Sequence, residues 1–385
     1  MWINRTLEPR LTAAVRSRPV VVLTGARQTG KTSLLQRLFS RFHFVSLDLP
    51  SEAELAERDP QAFLLRHPPP LIIDEVQYAP QVFRHVKAAV DLQRSRPGKF
   101  VLTGSQKFTL MREIADSLAG RVEILELEPL SVEEISAALP GLGIEQLMLR
   151  GGFPELYGNQ DLDSYSFYRS YTATYLERDV RTLLNVASLR DFERFLRACA
   201  LRSAQLLNKA DLARDVGISP STANQWLSVL EASGQVRLLE PWFSNRTKSL
   251  VKSPKLYLAD TGLLCALLNI QTVEELRKSP LAGALWETFV FAELRKRETA
   301  RRHDWSLSFW HDRTREVDFL IDRGGRFELY EAKWSESPRA GDAANLAHLE
   351  KLLGRQRVLR QSLVCRARNP YPVTGSVQAV TIADL

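Results

Sequence analysis

An apolar, β-branched run, Val20-Val21-Val22-Leu23-Thr24, leads directly into Gly25-Ala26-Arg27-Gln28-Thr29-Gly30-Lys31-Thr32. Ser33 to Phe39 then continues with apolar residues at helical spacing. A buried parallel strand, a glycine-bearing loop and a helix in that order constrain the fold tightly, because the loop has the G-x-x-x-x-G-K-T form in the context it requires. Gly25 and Gly30 allow backbone angles that other residues resist, so successive N–H groups converge on phosphate oxygens. The helix that follows points its positive end at the same place. Ala26, Gln28, Thr29 and Ser33 complete the cradle. Lys31 is expected to reach the β- and γ-phosphates of ATP, and the Thr32 hydroxyl to ligate Mg2+.

A second strand signal, Leu71-Ile72-Ile73, ends in Asp74-Glu75. Asp74 is expected to hold Mg2+ through water, and Glu75 to orient and deprotonate the attacking water. Phe44 to Leu47 reads as a strand between the two. Lys99 to Ser105 reads as another, whose polar tip offers Thr103 or Ser105 as a sensor of the γ-phosphate, or forms a plain turn. Arg121 precedes a further strand, Val122 to Leu127. It is either an arginine finger for a neighbouring subunit or a surface arginine.

The bulk properties are those of a globular chain: 385 residues, 44% hydrophobic and 25% charged. No apolar run reaches a membrane span and Met1 to Arg10 has no signal-peptide core, so a cytoplasmic protein without a membrane partner is expected. Three scattered cysteines make neither a disulfide framework nor a metal spacing. The net charge of +7 permits a nucleic-acid partner without requiring one.

Thr24 to Ser33, Leu71 to Gln77, Leu102 to Gln106 and Ser117 to Val122 together resemble a bacterial and archaeal family of AAA+-type ATPases fused to a conserved C-terminal domain without an assigned function. The likeness continues through Gly151-Gly152-Phe153-Pro154-Glu155 and Tyr175 to Val180. It implies an α/β chain with a RecA-like parallel-sheet core (1–130), a helical lid and connector (131–205), and a homo-oligomer, a hexamer first among the options. Arg178 is then either a lid arginine on the nucleotide or half of a packing salt bridge. Within the lid, Ser131 and Glu134 form a capping-box start.

Residues 206–270 read as a winged helix-turn-helix. Lys209 to Asp215 forms one helix, Gly217-Ile218 turns, and Ser219-Pro220 opens a second helix through Ala232. Two strands follow, Val236 to Leu239 and Lys255 to Leu258. Ser221, Thr222, Asn224 and Gln225 could touch DNA, and Arg246, Lys248 and Lys252 could grip its backbone, although the helix lacks the arginine usual for guanine. The alternative is a winged helix packed on the ATPase as a structural element or switch. Trp226 reads as core.

Residues 271–385 carry an αβββαβ pattern with Glu287 on the helix, Asp318 on the second strand and Glu331-Ala332-Lys333 closing the third. This resembles the PD-(D/E)xK, restriction-endonuclease-like superfamily of Mg2+-dependent nucleases. Side chains two apart on a strand leave the same face. Glu331 and Asp318 are then expected to share a metal, Glu287 to complete its shell, and Lys333 to stabilise the attacking water or the phosphate. A same-face ion pair between Glu331 and Lys333 is the plainer option. Arg355, Arg357, Arg360, Arg366 and Arg368 line a phosphate path or form a solvated basic face. Two functions follow: an ATP-driven DNA-processing protein in repair, recombination or defence, or a nucleotide-controlled switch that binds DNA or protein without cutting or moving it.

Overall fold

The computed structural model describes the chain except residues 94–95, 105–113, 115–116, 176–188, 244–252 and 302–304. Ser105, Arg178, Arg246, Lys248 and Lys252 therefore lie outside the described residues.

Five parallel strands form the first sheet: β1 (Val20–Thr24), β2 (His43–Ser46), β3 (Leu71–Asp74), β4 (Phe100–Gly104) and β5 (Val122–Glu126), in the order β2-β3-β4-β1-β5. Strands β1, β3 and β4 are buried along their whole length. They are covered on both faces, as continuous apolar runs require. The pleat of β1 divides its residues. Val20 and Val22 join Phe63, Val82, Phe83 and Val86 on one side. Val21 and Leu23 join Leu11, Val15, Leu34 and Leu35 on the other. Helices Glu8–Ser17 and Lys31–Leu38 cover that second face. Strand β4 separates β1 from β3, so the P-loop and Asp74 emerge at the same edge with the tip of β4 between them.

Helices Val132–Ala138, Ile144–Arg150, Pro154–Gly158, Ser164–Tyr175 and Leu189–Leu201 follow. Ser131 caps the first of these reciprocally with Glu134, as the spacing predicts. Next come helices Lys209–Val216 and Pro220–Ala232. They pack on a three-stranded antiparallel sheet of β6 (Gln205–Leu206), β7 (Val236–Leu239) and β8 (Lys255–Leu258), ordered β6-β8-β7. Asn208 and Ser219 cap the two helices, and Gly217 turns between them at φ 80°. These are the elements of a winged helix in the expected order. Trp226 is core: its ring lies 5.1 and 5.5 Å from Phe192 and Phe195 of helix Leu189–Leu201.

The C-terminal sheet is mixed. It contains β9 (Ser306–His311), β10 (Glu316–Asp322), β11 (Phe327–Ala332), β12 (Val358–Val364), β13 (Tyr371–Pro372) and β14 (Gln378–Val380), ordered β13-β14-β12-β11-β10-β9. Helix Ala282–Ala300 covers one face through Trp286, Phe289, Val290 and Leu294. Helix Ala344–Leu353 covers the other through Leu346, Leu349 and Leu353. One apolar cluster runs without a break from the lid helices through the winged helix to Phe319, Tyr330 and Val364, so these segments share a core. No helix among the described residues is long and apolar enough to cross a membrane.

Candidate nucleotide-binding site

The loop after β1 is held open by backbone conformations that restrict its sequence. Gly25 has φ 148°, Gln28 60° and Gly30 89°. A Cβ on Gly25 would run into the Leu127 carbonyl, so only glycine fits there. Lys31 Nζ donates to the Gly25 and Ala26 carbonyls at 3.0 and 2.9 Å, folding the ammonium back over the loop. Arg5 braces the loop from outside. It donates to the Thr29 carbonyl at 3.0 Å and pairs with Glu134 at 3.2 Å.

Asp74, at the end of β3, is clamped by two hydroxyls. Thr32 Oγ1 donates to Oδ2 at 2.9 Å and Thr103 Oγ1 to Oδ1 at 2.7 Å. Burial pushes its carboxyl above the usual range, against the pull of both hydroxyls. Glu75 sits in the left-handed region at φ 53°, an uncommon conformation for glutamate, and accepts a hydrogen bond from Gln77 Nε2. Backbone strain of this kind clusters at functional sites. A cavity of 740 Å3 opens over these groups. It is lined by Arg27 to Ser33 and Glu75, by Trp2, Ile3 and Arg5 from the N-terminal segment, and by Pro154, Glu155, Tyr171 and Thr174 from the lid. Its volume is in the range of small-ligand sites.

Gly151 and Gly152, just before Pro154, are locked from a distance. Asp260, which caps helix Thr261–Leu267, accepts from the Gly152 N–H at 2.7 Å and from Tyr168 Oη at 2.7 Å. A side chain on Gly151 would collide with both Tyr168 and Asp260. The winged helix also reaches the site. Gln235 Nε2 donates to Tyr171 Oη at 2.8 Å, and a Cβ on Gly234 would stand 3.7 Å from the Ala26 Cβ.

The structure gathers Gly25 to Ser33, Asp74, Glu75 and Thr103 at one edge of the sheet, and Arg121 elsewhere. Arg121 precedes β5, which runs beside β1 in register from Val20↔Val122, so it lies at the opposite edge. That is a strand's length, roughly 16 Å, from the loop. It makes a two-pronged pair with Asp91 at 2.6 and 3.2 Å.

In the C-terminal domain the structure places lysines beside the carboxylates expected to share a metal. Among the described residues, no group of three or more His, Cys, Asp or Glu side chains is arranged to hold a metal ion. Lys255 of β8 stands among Glu287, Glu316 and Asp318. Its Nζ lies 2.9 Å from Glu287, 2.5 Å from Glu316 and 3.7 Å from Asp318. Lys333 is 3.0 Å from Glu331, which is the same-face ion pair. Burial and the neighbouring Asp318 push Glu331 up to about 8 and Glu287 up to about 7. The arginines near the C-terminus divide. Arg366 pairs with Glu145 at 2.7 Å and stacks on Trp334, and Arg360 donates to the Asp384 carbonyl, so both serve the fold. Arg355, Arg357 and Arg368 are exposed.

Family models match three successive segments of the chain. An AAA domain family matches residues 17–136, a domain of unknown function, DUF8612, residues 142–274, and another, DUF4143, residues 282–385. The uncharacterized protein Rv2008c of Mycobacterium tuberculosis is 31% identical over 98% of this chain and 83% of its own length. The chain belongs to the family of AAA-domain ATPases that end in a DUF4143 domain. The uncharacterized protein MJ1544 of Methanocaldococcus jannaschii is 25% identical over 83% of this AAA–DUF4143 chain and 75% of its own. Among solved structures, the Walker-type ATPase PABY2304 of Pyrococcus abyssi aligns at 16% identity, covering 68% of this chain and 94% of its own, with a TM-score of 0.47. The Holliday junction branch migration motor RuvB of Thermotoga maritima aligns at 18%, covering 61% and 89%, with a TM-score of 0.32.

Proposed function

We propose that this AAA–DUF4143 chain binds ATP at Gly25 to Ser33, hydrolyses it to ADP and phosphate, and acts on DNA as a cytoplasmic homo-oligomer, with a hexamer first among the options. The observation that carries the reading is the hydroxyl–carboxylate–hydroxyl chain Thr32–Asp74–Thr103 under a cavity lined by Lys31 and Glu75. The loop N–H groups and Lys31 hold the phosphates. Glu75, oriented by Gln77, takes the proton of the attacking water. Magnesium fits at the base of the cavity, because the Thr32 hydroxyl and the Asp74 carboxylate are hard oxygen donors 2.9 Å apart. When bound, it supplies charge neutralisation at the β- and γ-phosphates. Thr103 is a positioning residue for Asp74. Arg121 can serve only a neighbouring chain's nucleotide, after leaving Asp91.

Support for DNA is the winged-helix order, the exposed Ser221, Asn224, Gln225 and Ser228 on its second helix, and the net charge of +7. The second reading, a nucleotide-controlled switch that binds without cutting or moving DNA, is favoured by the Gln235–Tyr171 bond and by Lys255 in the acid cluster. The test is ATP turnover with Mg2+ and titrated single-stranded, duplex or branched DNA at low salt. The DNA reading expects turnover to rise with at least one of them; no response to any would end it.

A further inference from the structure

The acid cluster of the C-terminal domain and the winged helix lie in separate segments of the chain, but their side chains interlock. Glu287 comes from helix Ala282–Ala300, Glu316 and Asp318 from β10, and Glu331 from β11. The cation among them comes from another module: Lys255, at the first position of β8, with its side chain 3% exposed. The same strand sends in Tyr257, whose hydroxyl donates to Glu287 Oε1 at 2.7 Å. The remaining lone pairs are partly met. Asp318 Oδ2 accepts from the Ala332 N–H at 2.9 Å, and Glu331 Oε1 from Lys333 at 3.0 Å, while Glu331 Oε2 is buried without a hydrogen-bond partner among the described residues.

Strand β8 pairs with β7, Lys255 opposite Leu239 and Tyr257 opposite Arg237. Arg237 carries the second buried cation of the ladder, on the same face as Lys255 and Tyr257 but reaching a different module. Its Nη2 lies 2.6 Å from Glu126 and 3.5 Å from Glu128, at the edge of the ATPase sheet from which the P-loop emerges. The two carboxylates also hold Arg295, at 3.0 and 2.8 Å. The β7–β8 ladder thus presents one buried cation to the carboxylates of the ATPase core and another to those of the C-terminal domain.

We propose that the β7–β8 ladder is a two-ended ionic strut, in which Arg237 fastens the winged helix to the ATPase core and Lys255 is the resident cation of the C-terminal acid cluster, in the place where nuclease-like spacing predicts a metal. A buried carboxylate group must be neutralised by something, and here the chain's own ammonium groups do it. Four carboxyls face two ammonium groups, Lys255 and Lys333. A displacement of the ladder at one end is carried to the other through backbone pairing, independently of whether DNA is the partner.

Two measurements on the full-length chain test this. The first is Mn2+ binding without nucleotide, followed by electron paramagnetic resonance, in the wild type and in Asp318→Asn. The strut account expects the same occupancy in both. A bound Mn2+ in the wild type that Asp318→Asn loses would overturn it. The second is amide hydrogen exchange in Lys255→Met. The expected result is faster exchange not only in β10 and helix Ala282–Ala300 but also in β7 and residues 126–130 of the ATPase core; a change confined to the C-terminal domain overturns the proposal. Should Lys255→Met fail to fold, Glu287→Gln gives the same readout from the other side of the pair. There the exchange must rise in β8 and β7, and a change confined to helix Ala282–Ala300 sinks the idea.

Discussion

Glu75 is the residue on which the proposed chemistry turns. It stands one position beyond a fully buried strand, in a strained conformation, facing the cavity. Replacing it by glutamine keeps the shape and removes the base. Turnover of ATP should fall by roughly 10²- to 10⁴-fold, while nucleotide binding persists in an equilibrium titration. Thr103→Val should act differently. It removes one of two donors to Asp74 without touching the phosphate cradle, and should raise the Mg2+ concentration needed for half-maximal turnover. Glu331 gives a pH signature. Its carboxyl is raised from 4.5 to about 8 by burial and Asp318, against Lys333, with Glu287 a smaller upward influence. Between those values the folded chain holds a proton that the unfolded chain has released, so stability falls as pH rises through that window. Denaturant melts between pH 5 and 8 should show a shallower decline in Glu331→Gln. At this scale the sequence displayed Gly25 to Thr32 and Asp74-Glu75 plainly, because each is a contiguous run whose chemistry is local. Lys255, Tyr257 and Glu316 gave no such signal. A lysine at the start of a strand reads as surface, and only the tertiary contact makes it a buried cation.

At the scale of elements, the apolar runs and caps specified most of the architecture. Strands β1 to β5, the capped helices of the winged helix and the αβββαβ order of the C-terminal domain all fall close to their expected bounds, since each rests on burial period or on a local hydrogen bond. Ser131 illustrates the second case. Its hydroxyl accepts from Glu134 N–H while Glu134 returns a bond to Ser131 N–H. Ser131→Ala should cost about 1 kcal/mol in chemical denaturation. What the elements did not disclose is their mutual locking. Gly151-Gly152 looks like a loop in sequence. In the fold it is the seat of Asp260, more than a hundred residues away, and of Tyr168. Nothing local encodes that encounter. Gly151→Ala should destabilise the chain by about 2 kcal/mol or more, through a clash that no rotamer relieves.

The whole molecule is a set of modules whose boundaries in sequence are visible and whose contacts are not. The winged helix could have been a free DNA-binding unit. Instead its strands and the turn after its second helix face both flanking modules, with Gln235 against the cavity-lining Tyr171 and Arg237 in the Glu126–Glu128 pair. Arg237→Ala removes one of the cations that hold those two carboxylates, and should lower stability by on the order of 3 kcal/mol, read from the denaturation midpoint. This packing agrees with nucleotide occupancy and winged-helix position being linked, since the two share Tyr171. All of it depends on the P-loop site being a working ATPase. The direct measurement is phosphate release from ATP by the full-length chain with Mg2+, comparing the wild type with Lys31→Ala and Glu75→Gln. Turnover is expected in the wild type and its loss in both variants, with ATP still bound by Glu75→Gln. Undiminished phosphate release by Glu75→Gln would contradict it.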